Sequence, residues 1–305
     1  MSPSELPRNG FVRMTAAEYL ADPCATPSLS NSIAQLLDGK SPLHAHARHP
    51  RLGGVASVDT EATLGGSLLH ALLLGQGKEL AVLDVKDWRT KAAQEAKLLA
   101  LAEGKVPIKR AEYEESQLVA SRVLEKLESS FGIVLKGESE IVALWEETTR
   151  EGELVQCRGM LDHLILGDTS ATIIDLKRCR SAHPEACART AHGYGYAIQR
   201  AAYVSAVESI RPNLAGRVDY IIPFIEVDDG VVDVVPCRLT GEFRDSGERK
   251  WRRAVEIWAR CMRENRWPGY TQEIIDLAPP PWATAKDMER QIAETSQTWS
   301  KDVQF

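Results

Sequence analysis

Two aspartates and a lysine flank one predicted turn. Asp162 precedes the turn residues GDTS (167–170), and Asp175 and Lys177 follow them. A hairpin with a symmetric loop at this turn places Asp162 directly opposite Asp175, and it places Lys177 on the same face two residues further on. Opposed carboxylates destabilise a strand pair, so a divalent cation bound by oxygen ligands is one candidate to balance them. The alternative is that Lys177 alone neutralises one aspartate at a strand end.

The elements around this turn are predicted to be β-strands. The runs EIVALWEE, LVQCRGMLDHLIL and SATIIDLK are rich in strand-forming residues and are separated by the turn-forming EGE and GDTS. They predict a three-stranded meander. A helical stretch over 184–210, the strands RVDYIIPFIEV and VVDVVPCRL, a long helix over about 240–265 and a proline-rich segment follow.

The residues before the meander predict helices. Thr15 and Ser30 are suited to cap two short helices, and LGGSLLHALLLG (64–75) is apolar around most of a helix and therefore predicted to be buried. Two further helices are predicted over 90–102 and 109–128. The pattern indicates one α/β domain over residues 1–305 with a central mixed sheet flanked by helices. Residues 1–136 form its mainly helical part, which carries His70, and residues 137–305 form its sheet core.

Composition excludes several classes of protein. In 305 residues, 44% are hydrophobic and 26% are charged, which is typical of a globular domain and excludes collagen, a coiled-coil rod and a low-complexity chain. Six cysteines without a CxxC pair indicate neither a disulfide framework nor a zinc ribbon. The longest apolar run, around His70, is too short to span a bilayer, and the first residues lack a secretory pattern. These features predict a cytoplasmic protein with no membrane association.

Charge is distributed unevenly. The net charge of −6 argues against a protein that coats nucleic acid nonspecifically. Between Arg244 and Arg266, however, basic residues outnumber acidic residues two to one. A solvated helix face with ion pairs and a surface that contacts phosphates are both consistent with this run.

Several short motifs together indicate a family. GMLD followed by IIDLK resembles the split signature of the PD-(D/E)XK nuclease superfamily, in which Asp162 matches the first acidic residue, and Asp175 with Lys177 matches the (D/E)xK pair. GSLLH, ending at His70, resembles the GxxxH helix of RecB-type nucleases. Gln199 and Tyr203 match their QxxxY motif. The segments SLSNSIAQLLDGKSP, DWRTK, EGK, YGYAIQRAAY, WPGY and PPPWA resemble the RecE (exonuclease VIII) C-terminal nuclease domain and its phage relatives, over roughly residues 15–285.

The resemblance implies roles for individual residues. His70, Asp162, Asp175 and the backbone carbonyl of Leu176 would ligate Mg²⁺, for which Mn²⁺ can substitute. Lys177 would orient or deprotonate the attacking water. Glu140 would match an additional acidic residue that binds a second metal in some relatives, although Glu138 is equally close in sequence.

Three of these residues have alternatives that the sequence leaves open. His70 on an apolar helix is otherwise read as a core residue. Gln199 and Tyr203, one helical turn apart, are expected beside the active site or only in packing.

The resemblance also implies a function. It is that of a two-metal exodeoxyribonuclease that degrades linear duplex DNA from 5′ to 3′, leaving 3′ overhangs for a single-strand annealing protein of the RecT type. It further implies a phage or prophage protein in a bacterial host and a closed homo-oligomeric ring, a tetramer or trimer, with the basic run lining its channel. The alternatives are a RecB-like single-strand nuclease and a catalytically silent DNA-binding module with the same fold.

Two absences in the sequence narrow the choice among relatives. No iron–sulfur cluster is expected, since Cys237 and Cys261 stand alone near the C-terminus, where cluster-binding relatives group three cysteines. No P-loop is present, so the chain is not itself a helicase.

Overall fold

The structure is a computed structural model that describes residues 6–54, 61–75, 79–239 and 241–301. The chain divides into two compact units, Met1–Gly269 and Tyr270–Phe305. The prediction of one nuclease domain over the whole chain stays a prediction.

The first unit contains ten strands, nine α-helices and one short 3-10 helix (Pro212–Leu214) in its described part. The strands are β1 (Gly10–Val12), β2 (Leu29–Ser30), β3 (Leu80–Leu83), β4 (Val106–Lys109), β5 (Glu138–Thr148), β6 (Leu154–Leu166), β7 (Ala171–Ile174), β8 (Lys177–Cys179), β9 (Val218–Asp228) and β10 (Val231–Cys237). The helices are α1 (Ala16–Leu20), α2 (Asn31–Gly39), α3 (Pro42–Arg48), α4 (Glu61–Leu74), α5 (Lys91–Ala102), α6 (Arg110–Phe131), α7 (Pro184–Gly193), α8 (Tyr196–Ile210) and α9 (Glu242–Glu264).

The main sheet of the described chain has eight strands. Its order is β1-β5-β6-β7-β9-β10, with β2 paired to β6 and β8 paired to β9. The meander β5-β6-β7 and the hairpin β9-β10 are antiparallel, whereas β7 and β8 run parallel to β9. The predicted α/β fold with a central mixed sheet is confirmed, and the helices lie on both faces of this sheet.

The sheet separates two hydrophobic cores. Alternate residues of β7 point to opposite faces. Ile173 therefore packs in the core that contains α8 and α9, and Ile174 packs in the core that contains α4 and α6. Both side chains are almost completely buried, and each burial contributes about 1.5–3 kcal/mol to stability. The strand that precedes the predicted site is thus fixed from both sides.

Helix α8 is central to the first core. Ten of its fifteen residues are buried, so its polar side chains need partners inside the protein. Helix α9 packs closely against it, because a Cβ atom on Gly247 would lie 2.2 Å from the backbone oxygen of Ala197. Only glycine permits this contact between the two helices.

The helix starts predicted at the N-terminus are observed. Thr15 caps α1, with Glu18 completing a capping box, and Ser30 caps α2. The part before residue 137 is mainly helical, as predicted, but it also supplies β1 and β2 to the main sheet and a separate parallel pair, β3 and β4. The helix predicted over 184–210 is interrupted, since α7 ends at Gly193 and α8 begins at Tyr196. Thr240, the expected start of α9, lies outside the described residues.

The second unit contains the helix α10 (Pro281–Lys301), which the sequence analysis did not predict. Proline occupies the first position of this helix, where its missing N–H costs nothing. None of the helices in the described part of the chain is long and apolar enough to cross a lipid bilayer.

Candidate active site

The pairing of β6 with β7 brings the two predicted aspartates together. His163 and Ile174 are the last paired residues, and the same register places Asp162 opposite Asp175 at the next position, as predicted. There the chain separates from β6, because the backbone N–H of Asp175 donates instead to the Ile221 oxygen at 2.9 Å. The two carboxylates therefore meet where the ladder between β6 and β7 ends.

Leu176 holds the backbone at this strand end. Its N–H donates to Oδ2 of Asp162 at 3.0 Å, and its side chain is buried in the core that contains α4 and α6. This hydrogen bond to a charged acceptor fixes the Asp162 side chain next to the peptide that follows Asp175. The predicted ligand carbonyl of Leu176 belongs to the same short segment.

Glu140, on β5, adds a third carboxylate to Asp162 and Asp175. The residues on either side of it, Ser139 and Ile141, pair with β6 in a register that places Glu140 opposite Asp162. Glu140 itself has φ +49°, a left-handed conformation that is uncommon for a residue with a side chain and that interrupts the ladder here. Glu138, the alternative from the sequence, instead forms an ion pair with Arg13. The carboxylates of Glu140 on β5, Asp162 on β6 and Asp175 directly after β7 thus lie in one row, called the acidic row below.

His70 of α4 contacts two of these carboxylates. Its Nε2 lies 3.1 Å from Oδ2 of Asp162, and its Nδ1 lies 3.5 Å from Oε1 of Glu140. Burial lowers the pKa of His70, but the two acidic partners outweigh burial and raise it to about 10. Both ring nitrogens face acidic groups, so His70 lies in the acidic row rather than among apolar core residues.

Asp175 is a carboxylate that is fully removed from solvent. Its Oδ1 accepts a hydrogen bond from Nε2 of Gln199 at 2.8 Å, and its Oδ2 lies 2.6 Å from Nζ of Lys177. Despite this short ion-pair contact, Oδ2 receives no hydrogen bond of normal geometry from the residues that the structure describes. Burial raises the pKa of Asp175 to about 6, since the effects of Lys177, which lowers it, and Asp162, which raises it, do not cancel burial.

Lys177 supplies positive charge to the row. Its Nζ lies 2.6 Å from Asp175 and 4.0 Å from Asp162. Burial lowers the pKa of Lys177, but the two carboxylates more than compensate and hold this pKa above its usual value. The lysine is therefore an ammonium group fixed at the strand end, and its Nζ also lies 5.3 Å from the centre of the Tyr196 ring.

Gln199 and Tyr203 of α8 have different surroundings. Gln199 contacts Asp175 directly, whereas the Tyr203 hydroxyl accepts a hydrogen bond from Nδ2 of Asn31 at 3.1 Å. The Tyr203 ring packs on Gly159, where a Cβ atom would lie 2.7 Å from the ring. Gln199 thus belongs to the acidic row, and Tyr203 joins α8 to α2 and β6 behind it.

Three further residues near the site were not predicted, namely Tyr220, Tyr196 and Asn31. Tyr220 of β9 has a fully buried hydroxyl, and the neighbouring Asp175 contributes, after burial, to raising the pKa of this hydroxyl far above its usual value. Tyr196 borders Lys177. Tyr196 and Asn31 both lie in segments that carry the family resemblance, YGYAIQRAAY and SLSNSIAQLLDGKSP, whereas nothing in the local sequence points to Tyr220.

The side chains at this strand end fit a divalent cation in chemical type. Carboxylate and carbonyl oxygens suit Mg²⁺, and one imidazole also suits Mn²⁺. The Asp175 Oδ2 atom, buried and without a regular hydrogen bond, is an oxygen that a cation would satisfy. In the described part of the chain, no three His, Cys, Asp or Glu side chains already surround a common point.

This strand end, with its opposed aspartates and following lysine on a mixed sheet, defines the PD-(D/E)XK class of nuclease folds. Residues 32–277 match the profile of a family described as a PDDEXK-like domain of unknown function (DUF3799). That match covers most of the chain, and the chain belongs to this family. The predicted membership of the PD-(D/E)XK nuclease superfamily is thereby confirmed.

One solved structure supports the fold. The crystal structure of a "Putative exonuclease" from Eubacterium rectale is 11% identical, with a TM-score of 0.55, and the match covers 88% of this chain and 97% of that one. The crystal structure of SSO0001 is 17% identical over 62% of this chain and 84% of that one, and its TM-score of 0.27 is too low to carry an argument. No curated protein matches the chain.

Proposed function

We propose that the protein is a metal-dependent exodeoxyribonuclease of the RecE type that degrades linear duplex DNA from its ends. The observation that carries this proposal is the row of Glu140, Asp162 and Asp175 across three strands, with His70 and Lys177 against it. The PDDEXK-like family supports nuclease chemistry. The name of the structure from Eubacterium rectale supports the choice of exonuclease over other nucleases.

The proposed metal ligands are His70, Asp162, Asp175 and the carbonyl of Leu176, with Glu140 available to a second ion. Mg²⁺ is the proposed cofactor, and Mn²⁺ is expected to replace it. A divalent cation bound there supplies positive charge to a phosphodiester under attack and lowers the pKa of a coordinated water. No iron–sulfur cluster is part of the proposal.

The protein's own groups position the reactants. Lys177 is held as an ammonium by two carboxylates, so it is suited to donate a hydrogen bond to the attacking water or to a phosphate oxygen rather than to accept a proton. Gln199 fixes the Asp175 carboxylate by donating to Oδ1. Without a cation, His70 balances the charge of Asp162 and Glu140, and it would ligate the cation as the neutral imidazole.

The finer parts of the proposal come from the resemblance to RecE. They are degradation from 5′ to 3′, a 3′ overhang passed to a single-strand annealing protein of the RecT type in recombination, and a homo-oligomeric ring, a tetramer or trimer. A phage or prophage origin and action in the cytoplasm of a bacterial host belong to the same proposal.

Purified protein incubated with linear and covalently closed duplex DNA, in Mg²⁺ or in EDTA, tests the proposal. We expect loss of the linear form only, and only with metal. Duplexes labelled at the 5′ or 3′ end report the polarity, and light scattering reports the assembly. Cleavage restricted to single-stranded ends would favour the RecB-like alternative. Binding without cleavage in Mg²⁺ and Mn²⁺ would favour a silent DNA-binding module.

A further inference from the structure

Two tyrosines form a stacked pair next to the acidic row. The rings of Tyr194 and Tyr196 are nearly parallel, with an interplanar angle of 19° and centroids 6.0 Å apart. Tyr196 in turn packs on Phe224 at 6.3 Å, and its ring lies 5.3 Å from Nζ of Lys177. Tyr194 is 68% exposed. One ring of the pair therefore lies beside Lys177, and the other is exposed to solvent.

The backbone between the two tyrosines is held in a defined conformation. Gly195 separates α7 from α8 with φ +66°, and its carbonyl accepts a hydrogen bond from Nε2 of Gln35 at 3.4 Å. Gln35 also donates to Oδ1 of Asn31 at 3.2 Å, and Asn31 is bonded to Tyr203. A side chain at residue 195 would meet the Gln35 side chain at about 3.1 Å. These contacts of α2 hold the turn that presents Tyr194.

The exposed ring has chemistry that suits one class of group. A single exposed aromatic residue is ordinary. Tyr194, however, is stacked on a second ring whose centre lies 5.3 Å from an ammonium, and its own ring is exposed to solvent. Aromatic rings of this kind accept nucleobases by stacking, because every base has a flat π-face. An adjacent ammonium suits the phosphate that joins such a base to its neighbour.

We propose that Tyr194, supported by Tyr196, stacks on a nucleobase next to the phosphodiester that is cut. This inference rests on the proposed nuclease function and adds a substrate contact to it. Stacking does not read a particular base, so the pair would position any DNA strand end with little sequence preference.

Steady-state cleavage by three variants tests the inference. Tyr194→Ala removes the ring, Tyr194→Phe keeps it, and Phe131→Ala removes an exposed aromatic side chain from α6, a helix that carries none of the site residues. We expect KM to rise about 5- to 150-fold in Tyr194→Ala, the loss expected for one base stack, with a smaller change in kcat. Tyr194→Phe and Phe131→Ala are expected to behave as the wild type.

A binding assay in EDTA removes cleavage from the measurement. Short duplexes that carry 2-aminopurine at each terminal position in turn report stacking by fluorescence quenching, and an abasic residue at the same position removes the base. We expect one position to be quenched by the wild type and by Tyr194→Phe but not by Tyr194→Ala. At that position, the abasic substitution should weaken binding of the wild type and leave Tyr194→Ala unaffected.

The outcomes separate this inference from the proposed function. If the wild type cleaves DNA but Tyr194→Ala retains its KM and its quenching, the stacking contact is wrong while the nuclease stands. If Tyr194→Phe is as impaired as Tyr194→Ala, the hydroxyl rather than the ring makes the contact, and the inference is overturned. If the wild type binds DNA but cleaves none, the proposed function is wrong, and the quenching assay in EDTA still decides whether Tyr194 stacks on a base.

Discussion

Asp22 and Asp175 are both fully buried aspartates with positive charges nearby, but their surroundings differ. Oδ2 of Asp22 accepts a hydrogen bond from the Ser28 N–H at 2.9 Å and lies 3.2 Å from Nε2 of His49. Its Oδ1 accepts from the Ser28 hydroxyl at 2.7 Å and lies 3.3 Å from Arg158. Both carboxylate oxygens of Asp22 therefore have hydrogen-bond donors, whereas Oδ2 of Asp175 has none of regular geometry among the described residues.

The pKa values of the two aspartates shift in opposite directions. Burial raises the pKa of Asp22, but His49, Arg158 and Ser28 outweigh burial and lower it below its usual value. Burial dominates at Asp175 and raises its pKa to about 6, with Asp162 adding to the rise. Removing the carboxylate from a fully bonded buried network leaves its partners uncompensated, which is costly to the fold. A buried carboxylate with a raised pKa that faces a second carboxylate is typical of a functional site.

The two aspartates are expected to differ most in how their substitution affects cleavage activity. Asp175→Ala should reduce cleavage about 1,000-fold or more, because it removes a ligand of the proposed cation, which contributes several kcal/mol to stabilising the transition state. Melting temperature in EDTA should fall less than in Asp22→Ala, because the loss of the Lys177 partner is offset by removal of a carboxylate opposed to Asp162, which still lies 4.0 Å from Lys177. Asp168→Ala, in the exposed turn of the same hairpin, is the matched control. Near-normal cleavage by Asp175→Ala would remove this strand end from the active site.

Asp22→Ala should instead lower stability and leave cleavage activity unchanged. It leaves Arg158 and His49 buried without their carboxylate, which costs about 3–5 kcal/mol of stability. Urea unfolding measures that loss, and cleavage per folded molecule should be unchanged. Asp22→Asn is the control, because it keeps the shape and tolerates the φ of +61° at this position. A loss below about 1 kcal/mol in Asp22→Ala would mean that the network does not hold the fold.

The sequence predicts the structural features that depend on local patterns. The register that opposes Asp162 and Asp175 follows from a symmetric loop at residues 167–170, and the starts of α1 and α2 follow from Thr15 and Ser30. The break between α7 and α8 is missed because Gly193 and Gly195 are isolated glycines inside a long helical pattern, and of these two only Gly195 has a positive φ. Its φ of +66° depends on contacts with α2, which lies 160 residues earlier in the chain.

Other features depend on contacts that no local pattern contains. The choice of Glu140 over Glu138 rests on a backbone with φ +49°, which the letters ESE do not reveal. Tyr220 reaches Asp175 only because β7 pairs with β9. The strands β3 and β4 have four residues each, too few to show a period, and β4 contains Pro107, a residue that normally marks a break.

The two aspartates should also differ in how their contribution to stability depends on pH. The folded-state pKa of Asp175, about 6, lies above the ordinary value of 3.8, so folding favours the protonated form. Its contribution to stability is therefore full below pH 3.8 and is lost as the pH rises through 6. In EDTA, we expect Asp175→Asn to gain on the order of 2 kcal/mol over the wild type between pH 4 and pH 7.

Asp22 provides the control for that titration. Its folded-state pKa is lowered, so its contribution is present above about pH 3.8 and is lost only at lower pH. The stability difference between the wild type and Asp22→Asn should therefore stay constant from pH 4 to pH 7. Urea unfolding at several pH values measures both differences. Equal slopes for the two variants would show that the two aspartates do not differ in the way proposed.

The smallest expected effect concerns DNA binding by arginines that differ in burial and pairing. Arg158 is buried and bonded to Ser28 and Asp22, whereas Arg252 and Arg253 on α9 are exposed and form no ion pair with any residue that the structure describes. If these two arginines contact DNA phosphates, Arg252→Glu with Arg253→Glu should weaken binding about 10-fold and reduce the slope of log affinity against log salt by about 2. DNA binding in EDTA at several salt concentrations measures both quantities.

The control for this double reversal is Lys91→Glu with Arg110→Glu, two exposed residues that already have acidic partners in Glu95 and Asp84. It changes the net charge by the same amount, so a loss that comes from net charge alone would appear equally in both double variants. A loss specific to Arg252 and Arg253 assigns the solvent face of α9 to the phosphate backbone. An unchanged salt slope would mean that Arg252 and Arg253 are only solvated on α9 and do not contact phosphates, so the absence of an ion pair would not mark function on this surface.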